Sequence, residues 1–346
     1  MTEAVSKRSD VDRGWRSTAT QVGGRLSDLA SVYGLPVVFL LVMLVFGLLR
    51  PESFLGPANI DNVLVSQSVT AMLALAEMVP LATRQFDLSV GFHLGMAHVL
   101  VVALQVNAGL NWPLAVVIVL ALAVLVGLAN AVLITIFGID SFIATMGVGT
   151  VLYGVSNWYT GGQQIVGMDL PESFANLTQI VGYVPLPAVY VAVVATILWI
   201  VTERLPIGRS LYVIGANPRA AELIGVRVGR CIGSAFVVSG LLSGLAGVML
   251  GSILLAGTPS VGPEYLLPAF AATLLGATSI RPGRVNVPGT LYAVLILAFS
   301  FSGVQQLGAP FYVQFFFNGG ILIVAVGLSV YAAARRRTTN VASGRK

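Results

Sequence analysis

The chain has 346 residues, 56% of them hydrophobic and only 10% charged, with a mean hydropathy of +0.89. A soluble domain carries about a quarter charged residues, so this composition excludes the pair of soluble domains that length alone would suggest. The net charge of +5 does not point to nucleic acid, because the basic residues are sorted by topology, and the single cysteine, Cys231, excludes an intrachain disulfide.

Residues 1–32 form a polar N-terminal tail without the short apolar core and small-residue cleavage site of a secretory signal, so the first span is expected to be retained. Ten apolar spans follow: Tyr33–Leu49, Val63–Ala82, Leu88–Val106, Trp112–Phe137, Phe142–Tyr159, Val184–Thr202, Ile232–Leu255, Tyr265–Thr278, Val285–Val304 and Phe311–Ala334. About 20 apolar residues are needed to cross a hydrocarbon core roughly 30 Å thick. The expected fold class is therefore all-α, a polytopic membrane helical bundle of about ten transmembrane helices. Tyr265–Thr278 is too short for a full crossing, which predicts a broken or tucked helix.

Basic residues are retained on the cytoplasmic side. With the N-terminus inside and ten crossings, every Lys and Arg except Arg50 falls on the cytoplasmic side: the N-terminal tail, Arg84, the arginines between Arg204 and Arg230, Arg281 and Arg284, and the C-terminal tail 335–346. The longest exterior loop, 160–183, has no Lys or Arg but contains Asp169 and Glu172. Nine or eleven spans would spoil this separation, so both termini are expected to be cytoplasmic. Small-residue pairs, Gly91/Gly95, Gly240/Gly244 and Gly247/Gly251, predict close helix approach. Intrachain packing is the plainer use for them, and a dimer seam or moving interface the alternative.

The longest interior loop between spans, 203–230, reads ERLPIGRSLYVIGANPRAAELIGVRVGR. Its centre carries both ends of a short helix. Asn217 suits the N-cap and Pro218 the first helical position. Ala220, Ala221, Glu222 and Leu223 favour helix, and Gly225 can close it in a left-handed conformation. Two turns are marginal in isolation, so this helix must dock, on its own bundle or in a partner's groove.

The stretch PIGRSLYVIGANPRAAELIGVRVGR resembles the cytoplasmic coupling loop of the ribose-type permeases of bacterial ATP-binding cassette importers. Further landmarks of that family follow in order: FDLSVG (86–91), SFIATMG (141–147), YTGGQ (159–163), SGLLSGLAGVML (239–250) and GATSIRPGRVNVPGT (276–290). The likeness runs from Val37 to Tyr331. It implies a multi-pass protein of the bacterial plasma (inner) membrane, with a permease domain at 33–334. It also implies a second permease copy (homodimer or paralogue heterodimer), a separate ATPase subunit that holds ATP and Mg, and an extracytoplasmic solute-binding protein delivering a sugar. Asn217, Pro218, Arg219, Ala221, Glu222, Leu223 and Gly225 inherit the coupling role. Arg84 and Gln85 depart from the glycines, or glycine and acid, that the family commonly places before DLSVG, and LLPAFAATLLGAT differs from the commoner version. Both departures bear on the solute rather than the transport class.

The chain has no nucleotide-binding motif of its own: its only lysines, Lys7 and Lys346, lie in the tails, so a P-loop is excluded and no cofactor is expected on this chain. His93 and His98 lack a ligand cluster, and no motif for hydrolytic catalysis is present. Glu77 lies deep in the second span, where a charge costs about 2.5–3.5 kcal/mol, so it is expected to face the bundle interior, protonated or paired. Asp87 suits the N-terminus of the third span, either as a helix cap or as a pathway group. A sugar pathway needs hydrogen-bonding and aromatic side chains, and the candidates are Gln67, Ser68, Asn157, Trp158, Phe315 and Asn318, each of which also has a packing reading. Other readings are a nucleoside or branched-chain amino acid permease of the same superfamily, an ion-coupled secondary transporter using Glu77, and a membrane scaffold.

Overall fold

The computed structural model describes residues 33–182, 184–310, 312–320 and 323. The described chain begins with α1 (Tyr33–Leu49). It continues with α2 (Pro51–Phe54), α3 (Pro57–Ala82), α4 (Val90–Val106), α5 (Trp112–Thr135), α6 (Ser141–Thr160), α7 (Glu172–Ala175), α8 (Leu186–Glu203), α9 (Pro206–Ala216), α10 (Pro218–Leu223), α11 (Val228–Leu254), α12 (Leu266–Gly276) and α13 (Val287–Gln306). Two small antiparallel pairs accompany them: β1 (Ile165–Val166) with β4 (Ala256–Gly257), and β2 (Ile180–Val181) with β3 (Val184–Pro185). Of the predicted tenth span, residues 313–320 are helical; 324–334 and the two tails lie outside the described residues.

Among the described residues five helices, α3, α5, α8, α11 and α13, are long and apolar enough to cross a membrane, and α1 and α4 are apolar but shorter. Helix α3 is the central post. Its Val69, Met72, Leu73, Leu75 and Met78 are buried against Leu94 of α4, Leu250 of α11, Ala269 of α12 and Val294 of α13. By contrast α5 exposes Val117 and Leu125, α6 exposes Ile143 and Val151, and α8 exposes Val193 and Ile197. A helix that is apolar on its outer face as well as its inner one has lipid outside. Lipid is as apolar as leucine, so close fit rather than water exclusion decides which helices meet.

The glycine pairs supply that fit within the chain. Gly240 and Gly244 of α11 lie against Ala123 and Gly127 of α5, while Gly247 and Gly251 lie against Leu94, Ala97 and Val101 of α4. Gly91 and Gly95 receive Gly262, and a Cβ at Gly262 would stand 2.7 Å from the Gly95 Cα.

The eighth predicted span is broken. After Leu255, which takes a left-handed φ of 49°, the chain runs extended through β4, makes a 3-10 turn at Gly262–Tyr265, and only then forms the 11-residue α12. At about 1.5 Å per residue α12 is some 16 Å long, shorter than a crossing. The interior loop corrects the expectation of one short helix. Besides α10 it contains α9, an 11-residue helix opened by Pro206.

Candidate functional site

Three features stand out: a turn before α4, a polar groove between α3 and α13, and the α9–α10 platform. The turn, residues 84–89, includes the DLS of FDLSVG; it buries Asp87 and Ser89 and leaves Arg84 and Phe86 exposed. Backbone groups outside regular helix need hydrogen-bond partners when they are shielded from water, and here side chains supply them. Phe86 N donates to Ser141 Oγ at 3.1 Å, Leu88 N to Thr145 Oγ1 at 3.0 Å, and Asp87 N to Glu77 Oε1 at 3.3 Å. Asp87 in turn accepts from Ser89 N at 3.1 Å, Ser89 Oγ at 2.5 Å and Ser239 Oγ at 2.7 Å. Asn130 Nδ2 donates to Ser89 Oγ at 2.8 Å, tying in α5. Glu77 and Asp87 are both buried, and neither has an ion-pair partner among the described residues. Asp87 thus folds the turn that starts α4, while Glu77 faces the interior and receives the turn's backbone. Arg84 holds a φ of 60°, a region costly for any residue with a Cβ.

The groove consists of two adjoining cavities of about 230 and 310 Å³, on the scale of small-molecule pockets of about 300–1,000 Å³. They share Ser66, Gln67, Ala298, Phe301 and Gln314. The α3 wall is a polar stripe of Asn59, Asn62, Ser66, Gln67 and Thr70. Steps of three and four run Asn59, Asn62, Ser66 and Thr70 along one helix face, with Gln67 at its edge three residues before Thr70. The α13 side offers Phe301, Ser302, Gln305 and Gln306, and the 3-10 turn adds Glu264 and Tyr265. Asn318 completes the inner cavity.

Of the sequence candidates, Gln67 and Asn318 meet in this groove. Ser68 is turned away, donating to Leu64 O at 2.5 Å. Asn157 donates to Tyr153 O at 2.9 Å, and Trp158, 83% exposed, stands at the same end of α6. Phe315 is exposed beside the groove-lining Gln314 but does not itself line either cavity. Sequence reasoning missed Asn59, Asn62, Ser66, Thr70 and Glu264. The first four carried a signal, polar residues at helical spacing across the start of the second span.

The platform sits at the other end of the bundle. Leu211 and Ile214 of α9 are buried, and Gly215 abuts the carbonyl of Ala82 at the end of α3. Tyr212 donates to Val285 O at 3.0 Å, and the Arg284 guanidinium lies 3.8 Å from the centre of its ring. Burial pushes the Tyr212 phenol up, opposed by the nearby Arg284 charge. Glu203 pairs with Arg281 and, at 2.7 Å, with Arg284, fastening the 276–290 stretch to α8.

Helix α10 packs against α9 and buries Ala221. Asn217 Oδ1 accepts from Ala220 N at 3.1 Å. At the other end Gly225 N donates to Glu222 O at 2.9 Å and Val226 N to Ala221 O at 3.0 Å, with Gly225 at a φ of 83°. This is the paired bonding of a Schellman stop. Beyond it Leu223 is 88% exposed and Ile224 70% exposed. Arg219 and Glu222 have no ion-pair partner among the described residues. Among those residues no group of three or more His, Cys, Asp or Glu gathers that could hold a metal.

Comparison with known proteins agrees with this architecture. The model of the family described as "Branched-chain amino acid transport system / permease component" matches residues 59–326. The chain is 35% identical to the ribose import permease protein RbsC of Bacillus subtilis (strain 168), over 88% of this chain and 92% of that one. It is 31% identical to the D-allose transport system permease protein AlsC of Escherichia coli (strain K12), over 86% and 90%. With the galactose/methyl galactoside import permease protein MglC of Haemophilus influenzae it shares 29% identity, over 86% and 94%. No solved structure matches it. The chain belongs to this family of transport-system permease components.

Proposed function

We propose that this chain is the membrane-spanning subunit of an ATP-driven importer for a sugar or sugar-like solute, and that a separate ATPase subunit holds the ATP and Mg. The observation that carries the reading is α10: a helix capped at both ends, seated on a rigid base, and presenting Leu223 and Ile224 bare. Leaving two large apolar side chains in water forgoes about 1.5–3 kcal/mol each, which burial in a partner's groove would recover. The import-permease relatives, named for ribose, allose and galactose, support the solute class, as does a groove walled by amides and hydroxyls.

In this reading the chain is a multi-pass inner-membrane protein that crosses ten times with both termini cytoplasmic. Residues 33–334 are the permease domain, 160–183 its extracytoplasmic loop and 203–230 its coupling loop. The groove opens outward and forms the pathway, with Gln67 and Asn318 along it. Asn217, Pro218, Arg219, Ala221, Glu222, Leu223 and Gly225 form the coupling element. A binding protein meets the exterior face, and a second permease copy completes the unit. Force on α10 reaches the bundle through α9, whose Gly215 touches Ala82 just before the turn at 84–89.

The test is reconstitution of the chain with its ATPase and binding protein in liposomes. Sugar uptake is expected to require ATP and to survive collapse of ion gradients. Glu77 and Asp87, buried with no basic partner among the described residues, favour one rival, an ion-coupled transporter. In that case uptake would fail on collapse of the gradient and ignore ATP.

A further inference from the structure

The groove has a charge asymmetry. Among the described residues its walls include the amides of Asn59, Asn62, Gln67, Gln314 and Asn318, yet no Lys, Arg or His, and a single acid, Glu264. That acid does not come from one of the long helices. It stands on the 3-10 turn where the eighth span breaks, and the turn is held at depth because Gly262 packs into the Gly91/Gly95 notch of α4. Glu264 is exposed and lines the inner cavity with Gln67, Thr70, Tyr265 and Asn318.

We propose that Glu264 is a charge filter at the inner part of the groove, selecting uncharged polyhydroxy solutes and excluding anionic ones such as sugar phosphates and sugar acids. The inference rests on the groove being the solute pathway. A carboxylate has only acceptor sites to offer, so it takes hydrogen bonds from neighbouring hydroxyls of a sugar, while the flanking amides serve as donors as well as acceptors. The same carboxylate repels phosphate or carboxylate groups, and low-dielectric walls around a cleft focus its field. Among the described lining residues no cation offsets it.

The test uses the full-length chain in liposomes, with Cys231 replaced by serine and Gln67→Cys as the reporter. Cationic, neutral and anionic methanethiosulfonates of similar size are applied from outside, each rate normalised to that with a small free thiol. The cationic reagent is expected to react at least roughly tenfold faster than the anionic one. In E264Q that ratio should fall to near one with the neutral rate unchanged, and in E264D it should persist. A ratio unchanged in E264Q overturns the filter while leaving the pathway intact. No reaction with any of the three reagents overturns the open groove itself, and the filter with it.

Discussion

The backbone N–H of Thr258 donates to Nε2 of His98 at 3.0 Å, joining positions 160 residues apart. His98 is buried in α4, and the bond fixes Nδ1 as the protonated nitrogen. It holds the extended part of the broken span against α4. His98→Ala leaves the half-buried N–H of Thr258 without this partner, which costs up to about 1–3 kcal/mol, in addition to a void. A fall of several degrees in the thermal midpoint of the purified protein is expected, with a smaller fall for His98→Gln, which keeps an acceptor. An unchanged midpoint in His98→Ala would show that the bond does not hold the segment.

Asp87 separates structural from transport roles. Its carboxylate accepts from Ser89 and Ser239, and hydrogen bonds to a charged group contribute about 1.5–3 kcal/mol. Asp87→Ala is expected to lower stability more than Ser239→Ala, which removes one bond. If Asp87 also acts in the pathway, Asp87→Ala would reduce uptake beyond the loss of folded protein, measured as uptake per correctly folded molecule.

At α10 the decisive side chain is Leu223. A surface pair such as Arg219 or Glu222 with a partner contributes about 0–1 kcal/mol, whereas full burial of a leucine contributes about 1.5–3 kcal/mol. Leu223→Asp should therefore weaken ATPase capture by roughly tenfold or more and uncouple hydrolysis from uptake, while the bundle still inserts. Glu222→Ala should have a milder effect. Normal coupling in Leu223→Asp would remove α10 from the mechanism.

Topology is open to direct labelling. In a Cys231→Ser background, a membrane-impermeant thiol reagent applied outside should modify a cysteine at Asp169 and spare one at Thr338, which lies outside the described residues. The reverse pattern would invert the bundle.

What the sequence made legible was local. Asn217, Pro218 and Gly225 act on their own backbone, so the ends of α10 could be read without any neighbour. Helix α9 was passed over because Leu211 and Ile214 lie in a stretch with arginine and polar residues, and its burial depends on α3 and α8. The groove was only partly visible. Starting the second span at Val63 cut off Asn59 and Asn62, and Ser68 lies one position past the stripe, where the helix turns it away from the cavities to bond Leu64 O. Glu264 fell at the edge of a predicted span because nothing local reveals that Gly262 descends to Gly91. That depth is set by two glycines about 170 residues earlier, a distance over which propensity carries no information.

The pairing of Ile165 with Gly257 and of Val166 with Ala256 is two residues long, and Gly167 N donates to Leu255 O at 3.0 Å beside it. This lashing ties the 161–182 surface loop to the strand that leads down to Glu264. The loop and the groove wall are therefore joined directly: an object that lands on the loop and shifts Ile165 would pull on Gly257. Because His98 and the Gly91/Gly95 notch fasten the same segment to α4, a load on the rim would be shared between the groove floor and that helix.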